Sequence, residues 1–389
     1  GGQINPCAGK DNRAICRTFE TSLHNTRAGK ARYYDQEWKG FELLTGVPYE
    51  ELSCQGCHKV NPLDPDPYEP SCYDCHADTD QDQDAFNDEI PDSRCLDCHG
   101  RQGAERTHPA LAGVDVHVKA GMACMDCHHK EEMHGDGRTY TSLQEPGAMK
   151  VSCTQAGCHD EASLATVSNR ALDFHDGHLQ STDCSACHVQ SVLACDSCHF
   201  DTELALPGTK RFYAQAPRTG FKFLMNKDGK VRTATYQSLT WENDKAFYAM
   251  APYVAHTITK GEAVECEDCH LYVQGQGQGK KLNITGGNAA LAQYLTEKRI
   301  TATKWVPDTT NLTDQNYGTL TGPTGVIPVP PDWATTLKFD HVYWTGAADG
   351  PLVPGGAGWD YLQTGADLVQ MPFGSPLSKE QINRLILRD

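Results

Sequence analysis

The sequence predicts a fold that is mostly irregular or coil, with short helices, a small β-hairpin element and a C-terminal segment without cysteine. Three observations support this prediction. Only 39% of the 389 residues are hydrophobic, and 35 Gly and 21 Pro are spread along the chain. There are 18 cysteines, most of them in one short repeated motif. Because aliphatic side chains are scarce for a chain of this length, the core needs another source of apolar material.

The motif Cys-x-x-Cys-His occurs seven times, and an eighth site is stretched, because Cys153 and Cys158 are separated by four residues before His159. Two thiols on one helical turn can bond the two vinyl groups of one haem, and the next histidine then reaches the iron as its proximal ligand. The predicted attachment residues are Cys54, Cys57, Cys72, Cys75, Cys95, Cys98, Cys124, Cys127, Cys153, Cys158, Cys184, Cys187, Cys195, Cys198, Cys266 and Cys269. The predicted proximal ligands are His58, His76, His99, His128, His159, His188, His199 and His270. The sequence therefore predicts eight covalently bound haem c groups, around which the short helices pack.

Zinc sites and a disulfide framework are the alternatives to haem. Two Cys-x-x-Cys pairs can bind zinc without a histidine after each pair. Disulfides account for an even number of cysteines but not for the histidines. Cys7 and Cys16 have no following histidine, and we predict that they form one disulfide that closes an N-terminal loop.

Nine further histidines are enough to cap all eight irons from the other side. These candidates for distal ligands are His24, His108, His117, His129, His134, His175, His178, His256 and His341. The seven methionines are fewer than the predicted haems, so bis-histidine ligation is the simpler account. An iron with both axial positions filled has no position for a substrate, which favours electron transfer over catalysis.

The order of motifs and histidines in residues 108–199 resembles that of tetrahaem cytochromes c3. The stretch covers about a quarter of the chain. The resemblance implies four distal ligands: His129 for the iron of His159, His108 for that of His128, His117 for that of His188, and His178 for that of His199. The chain as a whole is similar to extracellular multihaem cytochromes that form filaments. In such filaments an N-terminal histidine of one subunit can cap a haem of the next, a role open to His24, with ordinary intrachain ligation as the alternative.

The sequence does not pair the remaining ligands. The haems at His58, His76, His99 and His270 are left to be capped from His24, His134, His175, His256 and His341. Near the C-terminus, His341 could reach back to a haem and hold that segment in place.

Four regions follow from the distribution of the motifs. They are an N-terminal segment with a disulfide loop at 1–53, a seven-haem region at 54–200, a hairpin region with the eighth haem at 201–270, and a haem-free wrapping or subunit-contact segment at 271–389. Alternation predicts a hairpin between 221–225 and 230–236. Helices are predicted over 288–299 and 377–387, the second capped by Ser378 with Gln381 three residues on.

An acidic stretch has the spacing of a calcium-binding loop. Asp78, Asp80, Asp82, Asp84 and Glu89 occupy positions 1, 3, 5, 7 and 12. Gln83 stands where the sharp turn favours Gly. A calcium site and a solvated acidic linker are the two interpretations.

The formal net charge of −17 becomes about −25 once haem propionates and ferric irons are added. Nucleic acid and anionic lipid are therefore excluded as expected partners. Other redox proteins, extracellular acceptors and further copies of the chain remain. No apolar stretch approaches eighteen residues, so no membrane span is expected. We expect an exported protein, extracellular or at the cell surface rather than periplasmic, from which a signal peptide has been removed.

The sequence thus predicts electron conduction through eight closely packed haems, as the subunit of an extracellular filament. A periplasmic shuttle and a subunit of a membrane-linked conduit are alternatives. A multihaem reductase of nitrite, hydroxylamine or tetrathionate is another, but such an enzyme keeps one iron open or capped by lysine, and no Cys-x-x-Cys-Lys motif occurs.

Overall fold

The computed structural model describes residues 12–34, 39–48, 72–77, 87–160, 175, 177–201, 217–260, 264–273, 286–307, 318–346, 358–363 and 365–388. The chain divides into two compact units. We call the first, Gly1–Ala104 with Ala120–Thr166, the helical unit, and the second, Glu105–Lys119 with Val167–Asp389, the sheet unit. Residues 108–199 are divided between the two units.

Helices in the described part of the chain are short, and the longest has nine residues. They are α1 (Asn12–Phe19), α2 (Leu23–Thr26), α3 (Ala28–Tyr34), α4 (Glu42–Thr45), α5 (Cys72–His76), α6 (Asp92–Cys98), α7 (Gly100–Thr107), α8 (Val116–Lys119), α9 (Lys130–His134), α10 (Cys184–His188), α11 (Cys266–Cys269), α12 (Ala289–Glu297), α13 (Trp333–Thr336) and α14 (Lys379–Leu385). A 3₁₀ turn spans Cys124–Asp126. None of these described helices has the length and apolarity to cross a bilayer.

The strands lie in the sheet unit. They are β1 (Val192–His199), β2 (Arg218–Lys227), β3 (Lys230–Trp241), β4 (Lys245–Pro252), β5 (Leu271–Val273), β6 (Ile300–Thr301), β7 (Lys304–Pro307), β8 (Gly318–Thr321), β9 (Gly325–Pro328), β10 (Leu337–Lys338), β11 (His341–Trp344), β12 (Trp359–Leu362), β13 (Leu368–Gln370) and β14 (Ile386–Arg388). Six of them form a mixed sheet in the order β13-β4-β3-β1-β2-β9, in which β2 and β3 also pair. The pairs β10–β6, β11–β12, β14–β5 and β7–β8 form two-stranded sheets.

Both faces of the six-stranded sheet are covered, as its central strands show. Phe223 and Met225 belong to one buried hydrophobic cluster, while Leu224 between them belongs to another, with Leu291 and Leu377. Successive side chains of a strand point to opposite faces, so a strand covered on both sides buries every residue. This explains the unbroken run of five buried residues in β2.

The predicted hairpin is confirmed as the pair β2–β3, with Phe223 opposite Ala234 and Lys227 opposite Lys230. Its two-residue turn is Asp228-Gly229, and both residues have positive φ, 53° and 84°. Two positive φ values match the right-handed twist of the flanking strands, and Asp and Gly tolerate this conformation.

Both predicted C-terminal helices are confirmed, with ends shifted by one to two residues. Asn288 caps α12, and its side chain accepts from the N–H of Leu291. Ser378 caps α14 through the predicted capping box with Gln381.

The predicted fold class is wrong. The chain is not mostly irregular with one small hairpin, because the hairpin lies inside a six-stranded mixed sheet and the cysteine-free C-terminal segment adds strands and helices to it. The prediction averaged composition over the whole chain. Among described residues, the buried hydrophobic side chains lie almost all in the sheet unit, and the helical unit contributes only Phe41, Tyr140 and Ala148.

Candidate functional site

The repeated motifs adopt a single helical turn at most described positions. The motifs at 72–76, 184–188 and 266–270 form α5, α10 and α11, that at 95–99 ends α6, and that at 124–128 begins with the 3₁₀ turn. In three of these motifs the histidine N–H donates to the carbonyl of the first cysteine, for example His99 to Cys95 at 2.8 Å. The turn brings both thiols and the histidine together, as attachment of one haem requires.

The stretched motif closes with the same hydrogen bond. The N–H of His159 donates to the carbonyl of Cys153 at 3.0 Å although two more residues intervene. The extra length is accommodated by a turn at Gly157, whose φ of +84° favours glycine. The histidine therefore returns to its first cysteine as it does in the shorter motifs.

The motif at 195–199 differs from the others because it lies in strand β1. Ser197 has a φ of 47°, and the register with β3 shifts between Cys195 and Cys198. His199 is 5% exposed, its Nε2 lies 3.1 Å from the Asn243 side-chain oxygen, and burial lowers its pKa. The same Nε2 lies 3.2 Å from the Asp201 carboxylate, so iron ligation through Nε2 would require both contacts to be replaced.

Among the described residues, four pairs of imidazole rings have their ring centres about 6 Å apart. In the helical unit the ring centres of His24 and His99 are 6.1 Å apart, and those of His76 and His134 are 6.0 Å apart. An imidazole nitrogen binds a transition metal at about 2 Å, so two rings on opposite faces of one iron have centres roughly 6 Å apart. Both pairs fit bis-histidine ligation of one haem.

The sheet unit contains the other two pairs. The ring centres of His175 and His188 are 6.3 Å apart, and those of His178 and His270 are 6.1 Å apart. As in the helical unit, each pair joins one motif histidine to one histidine outside the motifs. The residues present therefore fit a haem at these four sites.

Hydrogen bonds at Nδ1 orient several of these rings. His76 donates to the carbonyl of Asn87 at 2.7 Å, and His188 donates to that of Thr259 at 3.0 Å. A histidine that binds metal through one nitrogen commonly donates its other N–H to an oxygen in this way. The bonds leave Nε2 as the atom that can bind iron.

Glu132 binds the ring of a further motif histidine, and the sequence reading did not single it out. Its Oε2 accepts from His128 Nδ1 at 2.7 Å, and its Oε1 accepts from the backbone N–H groups of Lys150 and Val151 at 2.5 Å each. Burial acts to raise the pKa of Glu132, but these hydrogen bonds lower it overall. The four-residue spacing from His128 was the signal available in the sequence.

The pairs differ from those that the c3 resemblance implies. His178 faces His270 rather than His199, and His175, rather than His117, faces His188. His24, considered for a haem of another subunit, lies beside His99 of its own chain. These pairings follow from the tertiary structure, which joins residues that are 13 to 92 positions apart.

Other candidate ligands have partners of a different kind. His129 Nε2 lies 3.2 Å from the side-chain oxygen of Gln155, inside the stretched motif, and its ligation of the iron of His159 stays a prediction. His256 Nδ1 lies 3.5 Å from the buried carboxylate of Glu105.

Two more candidates lie in the residues 105–119 of the sheet unit. His108 Nδ1 accepts from the N–H of Ala110 at 3.2 Å. His117 Nδ1 lies 3.5 Å from the carboxylate of Asp115, which also accepts the backbone N–H of His117.

His341 is enclosed by protein. It is 1% exposed, and its ring lies nearly parallel to that of Tyr248, with the ring centres 6.4 Å apart. Burial lowers the pKa of His341 to about 4. Neither ring nitrogen has a hydrogen-bond partner among the described residues. The neighbouring Val342 N–H donates to Ser197 Oγ at 3.2 Å, so His341 lies beside the motif at 195–199, and its role as a haem ligand stays a prediction.

Neighbouring motifs lie close together within each unit. Burial raises the pKa of the Cys75 thiol to about 11, and the nearby thiols of Cys95 and Cys98 add to the effect. Burial likewise raises the pKa of Cys269 to about 12, with a contribution from Cys187. The attachment points at 72–76 and 95–99 are thus adjacent, as are those at 184–188 and 266–270.

Several predicted residues lie outside the described part of the chain: Cys7, Cys54, Cys57, His58, Asp78, Asp80, Asp82 and Asp84. Cys16 is disulfide-bonded, and its pairing with Cys7 stays a prediction. The calcium loop also stays a prediction, and its one described candidate ligand, Glu89, is exposed. Within the described ranges no three His, Cys, Asp or Glu side chains form a metal-binding group.

Comparison with known proteins finds no matching family model, no similar curated protein and no similar solved structure.

Proposed function

We propose that the chain binds haem c covalently at its eight motifs and carries electrons through them. The observation that carries the proposal is the set of four imidazole pairs with ring centres 6.0 to 6.3 Å apart. When bound, each haem would take up and release one electron at its iron. The pairs are independent of the cysteine spacing from which haem was predicted, so two separate features of the chain support the same cofactor.

The chain's own residues have different roles in binding the haem. Motif thiols attach the cofactor, motif histidines hold the iron from one side, and histidines distant in sequence hold it from the other. Backbone carbonyls such as that of Asn87 orient the rings. Because the two histidines of each pair would both hold the iron, these sites favour an electron carrier over a reductase, which needs an accessible iron.

We further propose that the protein works outside the cytoplasm, since covalent haem and a disulfide are typical of an oxidising compartment. Its partners would be other redox proteins, extracellular acceptors or copies of itself. Electron microscopy of the native protein distinguishes a conducting filament from a soluble shuttle. A filament would show a regular subunit repeat, and a shuttle would show single particles.

The central test combines haem counting with one variant. Mass spectrometry of the denatured protein is expected to find eight haems on each chain, because thioether bonds survive unfolding. In His134→Ala we expect the same eight haems, with one changed from low-spin to high-spin and able to bind carbon monoxide when reduced.

Lys130→Ala is the matched control for the variant, because Lys130 lies on the same helix and is exposed. It is expected to leave every haem low-spin. A wild-type chain with the mass of the bare polypeptide would refute haem binding. Eight low-spin haems in His134→Ala would refute the pairing of His134 with His76.

A further inference from the structure

One short segment of the helical unit serves more than one predicted haem site. His128 is the motif histidine of its own site, and His134, at the end of α9, faces His76 of another. Glu132 lies between them on α9. Its backbone carbonyl accepts from Nδ1 of His24 at 3.3 Å.

The Glu132 side chain is held in one orientation by three donors. It is 7% exposed, and its Oε2 accepts from Nδ1 of His128 at 2.7 Å. Its Oε1 accepts from the N–H groups of Lys150 and Val151. A carboxyl group whose partners all donate is held as the acceptor-only carboxylate.

The Nδ1 hydrogen bond of His128 goes to a charged partner, unlike those of two other motif histidines, His76 and His188. His76 and His188 donate to the neutral carbonyls of Asn87 and Thr259, whereas His128 donates to a carboxylate. A carboxylate partner makes the imidazole a stronger electron donor, and a buried negative charge stabilises the ferric over the ferrous iron. Both effects lower the reduction potential of the haem.

We propose that Glu132 lowers the reduction potential of the haem bound at His128, below the values of sites whose proximal histidine donates to a backbone carbonyl. The inference rests on the function proposed above. Reduction at this site adds one electron supplied by a neighbouring reduced site, and no bond forms or breaks. Glu132 is thus a tuning residue that acts through His128 and does not touch the cofactor.

The test is a potentiometric titration of Glu132→Gln with all haems attached. We expect one of the eight midpoint potentials to shift to a more positive value, with all irons still low-spin. Glu131→Gln is the matched control, because Glu131 lies on the same helix, is exposed and loses the same charge. The control is expected to leave the potential of the haem at His128 unchanged, because the carboxylate that accepts from His128 is that of Glu132.

Eight attached haems with unchanged potentials in Glu132→Gln would overturn the proposal. If that variant loses a haem, Glu132→Asp decides, because it keeps the charge and lengthens the hydrogen bond. A positive shift of one midpoint potential in Glu132→Asp supports the proposal, and unchanged potentials overturn it. Loss of the haem from Glu132→Asp as well would show a purely structural role and overturn it. These outcomes leave the wild-type haem count unchanged, so they are distinct from failure of the proposed function, which a haem-free wild type would reveal.

Discussion

At the residue scale, the histidines fall into groups with different surroundings. Those in pairs, such as His76 and His134, face another imidazole at the separation that one iron requires. His341 has no imidazole opposite it in the described part of the chain and is enclosed beside Tyr248. Burial of a neutral ring without hydrogen bonds is costly, and protonation of that ring is costlier still.

The enclosure of His341 predicts a pH-dependent stability of the sheet unit. Burial lowers the pKa of His341 to about 4, and the negative charge of nearby Asp367 acts in the opposite direction. Because the folded pKa is below the unfolded value of 6.5, the unfolded chain takes up the proton first. The contribution of neutral His341 to the free energy of unfolding is fully present above the unfolded pKa. It is lost as the pH falls towards the folded pKa, and the loss reaches about 3 kcal/mol.

Unfolding by urea at a series of pH values measures this effect. His341→Phe removes the titrating group but keeps an aromatic ring beside Tyr248, so its free energy of unfolding should fall less steeply between about pH 7 and about pH 5. Parallel pH profiles of wild type and variant would contradict the prediction.

At the scale of elements, one helix cap binds only its own helix and another also binds a predicted haem-attachment turn. Ser378 caps α14 at an exposed position, through a hydrogen bond from the Gln381 N–H. Asn288 caps α12 in the interior, at 3% exposed, and its amide also donates to the carbonyls of Asp268 and Val326. Asp268 belongs to the motif at 266–270, so the cap of one helix also holds a predicted haem-attachment turn.

The two caps are expected to differ in their energetic contribution. Ser378→Ala should lower the free energy of unfolding by about 1 kcal/mol, the usual effect of losing a cap. Asn288→Ala should lower it by about 3 kcal/mol, because the buried carbonyl of Val326 and the partly buried carbonyl of Asp268 also lose their donor. Urea unfolding of the two variants compares them directly, and equal losses would contradict the assignment of a bridging role to Asn288.

At the scale of the whole molecule, the two units differ in what fills their interiors. The sheet unit has a conventional core, with Phe223, Met250 and Leu291 nearly inaccessible to solvent. The described part of the helical unit buries few hydrophobic side chains but carries several of the motifs. A unit with little aliphatic core needs apolar cofactors to fold.

Haem removal should therefore affect the two units differently. In protein produced without haem attachment, we expect limited proteolysis to cleave the helical unit rapidly while a fragment containing residues 217–260 and 318–346 is protected. Protein with haems attached should be protected in both units. Equal protection of the two units in the haem-free protein would contradict this prediction.

Local sequence patterns were sufficient for features that depend on neighbouring residues. The eight motifs, the turn at Asp228-Gly229, the helix that begins after Asn288 and the cap at Ser378 all belong to this class, because their geometry is set within a few positions. The haem-ligand candidates were also identified as a set. Their number and chemistry are properties of composition.

Long-range packing decided the rest. The pairing of His24 with His99 joins residues 75 positions apart, and β9 and β13 form the two edges of a six-stranded sheet whose inner strands come earlier in the chain. A short-range pattern does not specify which distant segment fills a given face. That choice is made by which apolar surfaces and ligand groups fit together when the whole chain packs.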